Sequence, residues 1–153
     1  MAYASRLGMQ APLAEPMAHT TPRSTIALIG RILLSAIFLV SGFAKLTDPS
    51  GTMAHMEKAG ISHAETLLYI AAFAELLGGL SLLLGLLTRL GAAGLFVYMI
   101  VISVVMHKFW GMPADAAKMQ FVQFMKNLCI MGGLAMVVAY GPGRYSIDER
   151  RRS

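Results

Sequence analysis

Charged residues make up only 14% of this 153-residue chain, against roughly 25% in an ordinary globular domain. Apolar residues reach 56% before the 15 glycines are counted, so a soluble globule would lack the polar surface needed to cover itself. Cys129 is the one cysteine, which excludes a disulfide scaffold. The composition also excludes disorder and collagen-like repetition. No glycine-rich phosphate loop, HExxH metal site or nucleophile elbow occurs. The net charge of +5 is confined to the termini and helix ends, with no aromatic-interleaved basic patch, so no nucleic-acid partner is expected. A mean hydropathy of +0.62 points to a chain dissolved in lipid.

Four apolar stretches carry that hydropathy: Ile26 to Thr47, Thr66 to Leu87, Leu90 to Lys108 and Phe121 to Tyr140. Each is about 20 residues long, which at about 1.5 Å per residue matches a hydrocarbon core of about 30 Å. Uninterrupted apolar runs without alternation are not barrel strands, so four transmembrane helices are predicted. Breaks are expected at Asp48-Pro49-Ser50-Gly51, at Thr88-Arg89 and at Met112-Pro113. Met53, Met56, Ala59 and Gly60 recur at helical spacing between Thr52 and Ala64, which predicts a short interfacial helix after the first span. Residues 1–24, with Pro12, Pro16 and Pro22 and no apolar core of 7–15 residues, read as a flexible extension and not a signal peptide. The expected fold is all-α: an integral membrane four-helix bundle over residues 25–148, ending in a basic tail, 149–153.

Orientation follows from the cations flanking the spans. Arg6, Arg23, Arg89, Arg144, Arg150, Arg151 and Arg152 fall on one side, and Lys58, Lys108 and Lys118 on the other. The positive-inside rule places both termini in the cytoplasm. The cluster Arg150 to Arg152 reads first as this topology signal and second as a contact for anionic lipid headgroups.

Charges at membrane depth are the most informative feature, because each costs about 2.5–3.5 kcal/mol at a helix centre. Arg31, Lys45, Glu75 and Lys126 are of this kind, and His107, Gln120, Gln123 and Asn127 add uncharged polarity. Arg31, Ser35, Phe38, Gly42 and Lys45 share one helical stripe. Glu75 shares its face with Ala71, Ala72, Gly78 and Gly79, small residues that let helices approach and so turn the carboxylate into the bundle. Gln120, Gln123 and Asn127 form a third stripe with Lys126 beside it. These stripes are expected to converge on Glu75.

Two readings of that convergence stand side by side. One is a structural ion pair between Glu75 and Lys45, Lys126 or Arg31. The other is a site whose three cations outnumber its carboxylate and accommodate an anionic or carbonyl-bearing ligand, unless the lysines snorkel to the outer interface. Other chemistry is weaker. His107 is the only histidine in a span, which does not favour haem, and is expected to cap its helix beside Trp110, an interfacial aromatic anchor with Tyr69 and Phe109. Cys129 reads as an inert packing residue. Met53, His55, Met56, His63, Met106, His107, Met112 and Met119 collect toward the outer side, a set whose softness suits Cu(I). Methionines equally fill gaps in a bundle, and copper is disfavoured.

SGFAKL at Ser41 to Leu46, AELLGGLSLLLGLLTRLGA at Ala74 to Ala92, HKFW at His107 to Trp110 and FMKNLCIMGGLAMV at Phe124 to Val137 together resemble the DoxX family of small bacterial four-helix membrane proteins. The resemblance runs from about Ile26 to Asp148. It implies a bacterial plasma-membrane location and an association with redox chemistry, since relatives include the membrane subunit of a thiosulfate to quinone oxidoreductase and proteins linked to quinone detoxification. Lys45, Glu75, Arg89, His107, Lys126 and Asn127 match the family's recurring polar pattern. The resemblance implies no proven catalytic residue, and function has to be argued from the site.

The first expectation is therefore a quinone or quinol site in a membrane subunit of a redox system. Lys45, His107, Lys126, Asn127 and Arg31 would bind the ligand, and Glu75 would donate or relay protons. No redox cofactor motif is visible, so a partner protein would supply the electrons. The alternative is a non-catalytic scaffold or assembly factor for redox or oxidative-stress proteins, presenting small residues such as Gly91 with Gly94 or Gly132 with Gly133 to a partner helix. Solute or proton transport ranks last, because none of the four spans contains proline.

Overall fold

The computed structural model describes residues 21–151, and these are helical throughout apart from short connections. The helices are α1 (Thr21–Thr47), α2 (Pro49–Lys58), α3 (Ala64–Leu84), α4 (Thr88–Met106), α5 (Ala114–Tyr140) and the single turn α6 (Ile147–Arg150). Four of them, α1, α3, α4 and α5, are long and apolar enough to cross a membrane. In sequence order each spanning helix packs on the next: α1 on α3, α3 on α4, α4 on α5, with a lighter contact from α5 back to α1. The ring has α3 as its most enclosed member, buried over 33% of its apolar window against 17% for α5.

Burial is low because lipid is the outer solvent. Phe38, Leu82, Leu95, Met99, Met131 and Leu134 form the interior, while Ile26, Val40, Leu77 and Leu90 point outward with more than 60% of their surface free. Water would penalise that arrangement, and a hydrocarbon core does not. Small residues bring the backbones together where the polar groups meet. A β-carbon on Gly42 would lie 2.8 Å from Leu76 Cγ and 3.0 Å from the Ala72 carbonyl, so α1 and α3 run close together one turn from Lys45.

The helix ends depart from the sequence expectation in ways that have local causes. α1 takes in Pro22, Arg23 and Ser24, since proline is tolerated in a first helical turn. Only residues 1–20 of the expected extension lie outside the described residues. The break after α1 is a single residue, Asp48, because Pro49 opens α2 at once. Met56 of that short helix, with Met53, packs on Ala64, Leu68 and Met106, and α2 stops before Ala59 and Gly60. Between α3 and α4 the turn is Gly85-Leu86-Leu87, and Thr88 and Arg89 already belong to α4. Gly85 at φ 69° closes α3 with its N–H on the Ser81 carbonyl, 3.0 Å away, a left-handed cap that glycine adopts without steric cost. α5 begins seven residues before Phe121, directly after Pro113.

Candidate functional site

Glu75 sits near the middle of α3, about 16 Å from its start and about 14 Å from its end, and only 4% of its surface is exposed. Lys45 Nζ donates to both carboxylate oxygens, at 3.0 Å to Oε1 and 2.8 Å to Oε2, and to Ser41 Oγ at 2.6 Å. The three donors of the ammonium group are thereby engaged. Tyr98 of α4 donates its hydroxyl to Glu75 Oε1. Three helices therefore meet on one carboxylate. Lys45 lies near the end of α1, yet a helical side chain leans toward its helix's N-terminus, so the amine reaches inward to mid-membrane depth instead of snorkelling outward.

A second polar group lies between α4 and α5. Asn127, 5% exposed, donates from Nδ2 to Ser103 Oγ at 3.2 Å, and Ser103 donates to the Met99 carbonyl at 2.6 Å. Farther out, His107 terminates α4, its Nδ1 2.9 Å from Gln120 Oε1. Phe109 packs edge-on against Trp110, Phe121 and Phe124 with ring centres 5.2–5.4 Å apart. The aromatic anchor expected beside His107 is thus a four-ring cluster joining the loop to α5. Tyr69 makes no part of it.

Arg31 occupies the opposite end of the α1 stripe, about 21 Å from Lys45 at 1.5 Å per residue. It is 2% exposed, and its Nη1 and Nη2 each donate at 2.8 Å, to the carbonyls of Pro142 and Tyr145. Those residues lead into α6, whose Asp148 takes the N–H of Leu87 on Oδ1 and both the N–H and hydroxyl of Thr88 on Oδ2. The start of α4 is thereby capped from a distant part of the chain. Arg31 and Asp148 also attract electrostatically. Arg31 Nε and Ser24 Oγ are buried without a hydrogen-bond partner among the described residues.

Convergence on Glu75 is therefore narrower than the stripes suggested. Lys45 reaches it and Arg31 does not, being fixed at the other end of the bundle. Asn127 and His107 are one helix pair away. Lys126 is exposed: successive residues of a helix differ by about 100° in direction, so turning Asn127 inward turns Lys126 out to the lipid face. Its lean toward the start of α5 carries the amine toward the interface at that end of the bundle. The surplus of cations around Glu75 disappears with these placements, leaving one ammonium for one carboxylate. Tyr98 and Ser41 were not read from the sequence. A tyrosine at mid-span, unlike Tyr69 or Tyr140 near helix ends, was the available signal, since a hydroxyl at that depth requires a partner.

Comparison with known proteins completes the description. A family model described as DoxX matches residues 26–108, a range that includes Ser41, Lys45, Glu75 and Tyr98 and excludes Lys126 and Asn127. The chain is 31% identical over 128 residues to Inner membrane protein YphA of Escherichia coli, covering 84% of this chain and 91% of that protein. It is 34% identical over 122 residues to Inner membrane protein YqjF of the same organism, covering 80% and 88%. A Surfeit locus protein 4 homolog of Schizosaccharomyces pombe is 29% identical over 132 residues, covering 85% of this chain and 39% of that protein. No solved structure gives a significant match.

Proposed function

The chain belongs to the DoxX family, and from that premise we propose that it is an inner-membrane component of a redox system that binds a quinone or quinol at Lys45, Glu75 and Tyr98. The observation that carries this reading is the hydrogen-bonded cluster itself: an ion pair and a phenol gathered at mid-span, where ionisable groups are costly and are characteristically kept for function. A quinone ring carbonyl needs a donor, and both the Lys45 ammonium and the Tyr98 hydroxyl are donors turned on one acceptor. An entering carbonyl would exchange for one of those bonds with little loss. Reduction of a quinone to its quinol consumes two electrons and two protons. Glu75 and Tyr98 supply a path for protons, and the electrons come from a partner protein that carries the redox cofactor. The apolar surface of the bundle accommodates the isoprenoid tail. The relatives with inner-membrane names support that location. Arg23, Arg89, Arg144, Arg150 and Arg151, all at one end of the bundle, support cytoplasmic termini through the positive-inside rule.

A second reading, a scaffold for redox proteins, is favoured by two glycines. Gly94 and Gly132 have open space where a side chain would stand, whereas Gly91 and Gly133 are spent inside the bundle against Ser81 and Leu34. Open glycines on a lipid-facing surface admit a partner helix closely.

Quinone content decides between them. The full chain purified in mild detergent should retain about one quinone per molecule, well above an unrelated four-helix membrane protein prepared in parallel. Glu75→Gln should lose that quinone, and the double change of Glu75→Gln with Lys45→Met, which leaves no unpaired buried charge, should lose it equally while still inserting. Background quinone in the parent protein rejects the quinone site and moves the weight to the scaffold.

A further inference from the structure

We propose that the end of the bundle bearing Arg89 binds a phospholipid whose headgroup carries both a phosphate and a primary ammonium, with one acyl chain laid between α3 and α4. A cavity of about 530 Å³ opens there, between the start of α4, the end of α5 and the segment from Gly141 to Arg151. That volume lies within the range of small-molecule sites, about 300–1,000 Å³. Four charged residues line it: Arg89, Arg151, Asp148 and Glu149. Asp148 is already committed, since both of its oxygens accept bonds from the start of α4. Arg89 gives one long bond, 3.4 Å from Nη2 to the Ala139 carbonyl, which leaves the other donors of its fork, so two guanidinium groups and the carboxylate of Glu149 line the site. Guanidinium forks match phosphate oxygens, and a carboxylate beside them repels a simple anion while favouring a ligand that also brings a positive charge. A phosphate joined to an ammonium satisfies both.

The tail has its own place. A second cavity, about 390 Å³, is an apolar groove lined by Leu77, Leu80 and Leu84 of α3 and Leu90 of α4. Leu87 and Leu90 line both cavities, so headgroup site and groove adjoin. From Leu77 to Leu84, the end of α3, the groove extends roughly 10 Å at helical rise, about a third of a hydrocarbon core of about 30 Å. That length holds the part of one acyl chain nearest the headgroup. Tyr140, which lines the polar cavity and is 74% exposed, stands where interfacial aromatics mark the headgroup level.

Binding to the folded chain raises its unfolding temperature in proportion to affinity and concentration. The detergent-purified full chain should therefore be titrated with phosphatidylethanolamine, phosphatidylglycerol and phosphatidylcholine of identical chains, following thermal unfolding. Phosphatidylethanolamine is expected to bind at least tenfold more tightly than either of the others. Phosphatidylglycerol lacks the ammonium, and phosphatidylcholine's quaternary nitrogen has no N–H to donate. Arg89→Gln should weaken all three lipids, and Glu149→Gln should abolish only the preference for ethanolamine. Equal stabilisation by the three lipids overturns the proposal, as does a preference that survives Glu149→Gln. The comparison on the unaltered chain decides even if a variant fails to fold, and it leaves the quinone measurement at Glu75 untouched.

Discussion

Arg31 and Lys45 are two buried cations on one stripe of one helix, and they are used in opposite ways. Arg31 donates to backbone carbonyls of Pro142 and Tyr145, groups that neither gain nor lose protons. Lys45 donates to a carboxylate and a hydroxyl, and the carboxylate accepts in turn from a phenol. The first arrangement is a fastening: it ties the segment before α6 to the first half of α1. The second holds exchangeable protons at membrane depth. Chemistry is therefore distinguished from architecture here by what the cation faces, not by its burial, since Arg31 is the more buried of the two.

Breaking each end of that stripe should separate the two roles. The largest effect is expected from Lys45→Met, which strands the Glu75 charge; removing one partner of a buried pair costs about 3–5 kcal/mol. Adding Glu75→Gln to it should recover most of that loss, a strong departure from additivity read in thermal or denaturant unfolding. Simple addition of the two single effects would show that the pair contributes nothing as a pair. Arg31→Lys comes next, at about 2 kcal/mol, because an ammonium cannot replace the fork that spans two carbonyls. The loosened segment should become cleavable by trypsin after Arg144, while quinone retention at Glu75 stays as before. Smallest is Lys126→Met, within about 0.5 kcal/mol of the parent, as for a substitution on an outward face. A larger loss would mean that Lys126 has a partner and that the contrast between inward and outward lysines is wrong.

Run length alone made the four helices legible, because lipid demands about 20 apolar residues per span and leaves few other solutions. The α1 stripe was legible too: spacing alone put Arg31, Ser35, Phe38, Gly42 and Lys45 on one face, and four of the five are buried with Lys45 half-buried. Helix ends were not, since their caps are tertiary. Thr88 looks like a stop until Asp148, sixty residues later, is seen bonding to it. Membership of the Glu75 cluster was half legible for a similar reason. Lys126 and Asn127 are adjacent in sequence, and only packing against α4 decides which of them turns inward. Tyr98 was hidden among apolar residues that it resembles in everything but its hydroxyl.

The bond from Thr88 to Asp148 sets an order of events during synthesis. At roughly 5–20 residues per second, the ribosome needs about 3–12 s to make the sixty residues between them. Once Met106 has been added, for the remainder of that interval, α3 and α4 are in existence while the start of α4 still lacks its cap. Completion of this end is thus postponed until the segment around Asp148 emerges. A nascent chain interrupted before that point exposes an unsealed helix end and an unanswered arginine to whatever surveys new membrane proteins.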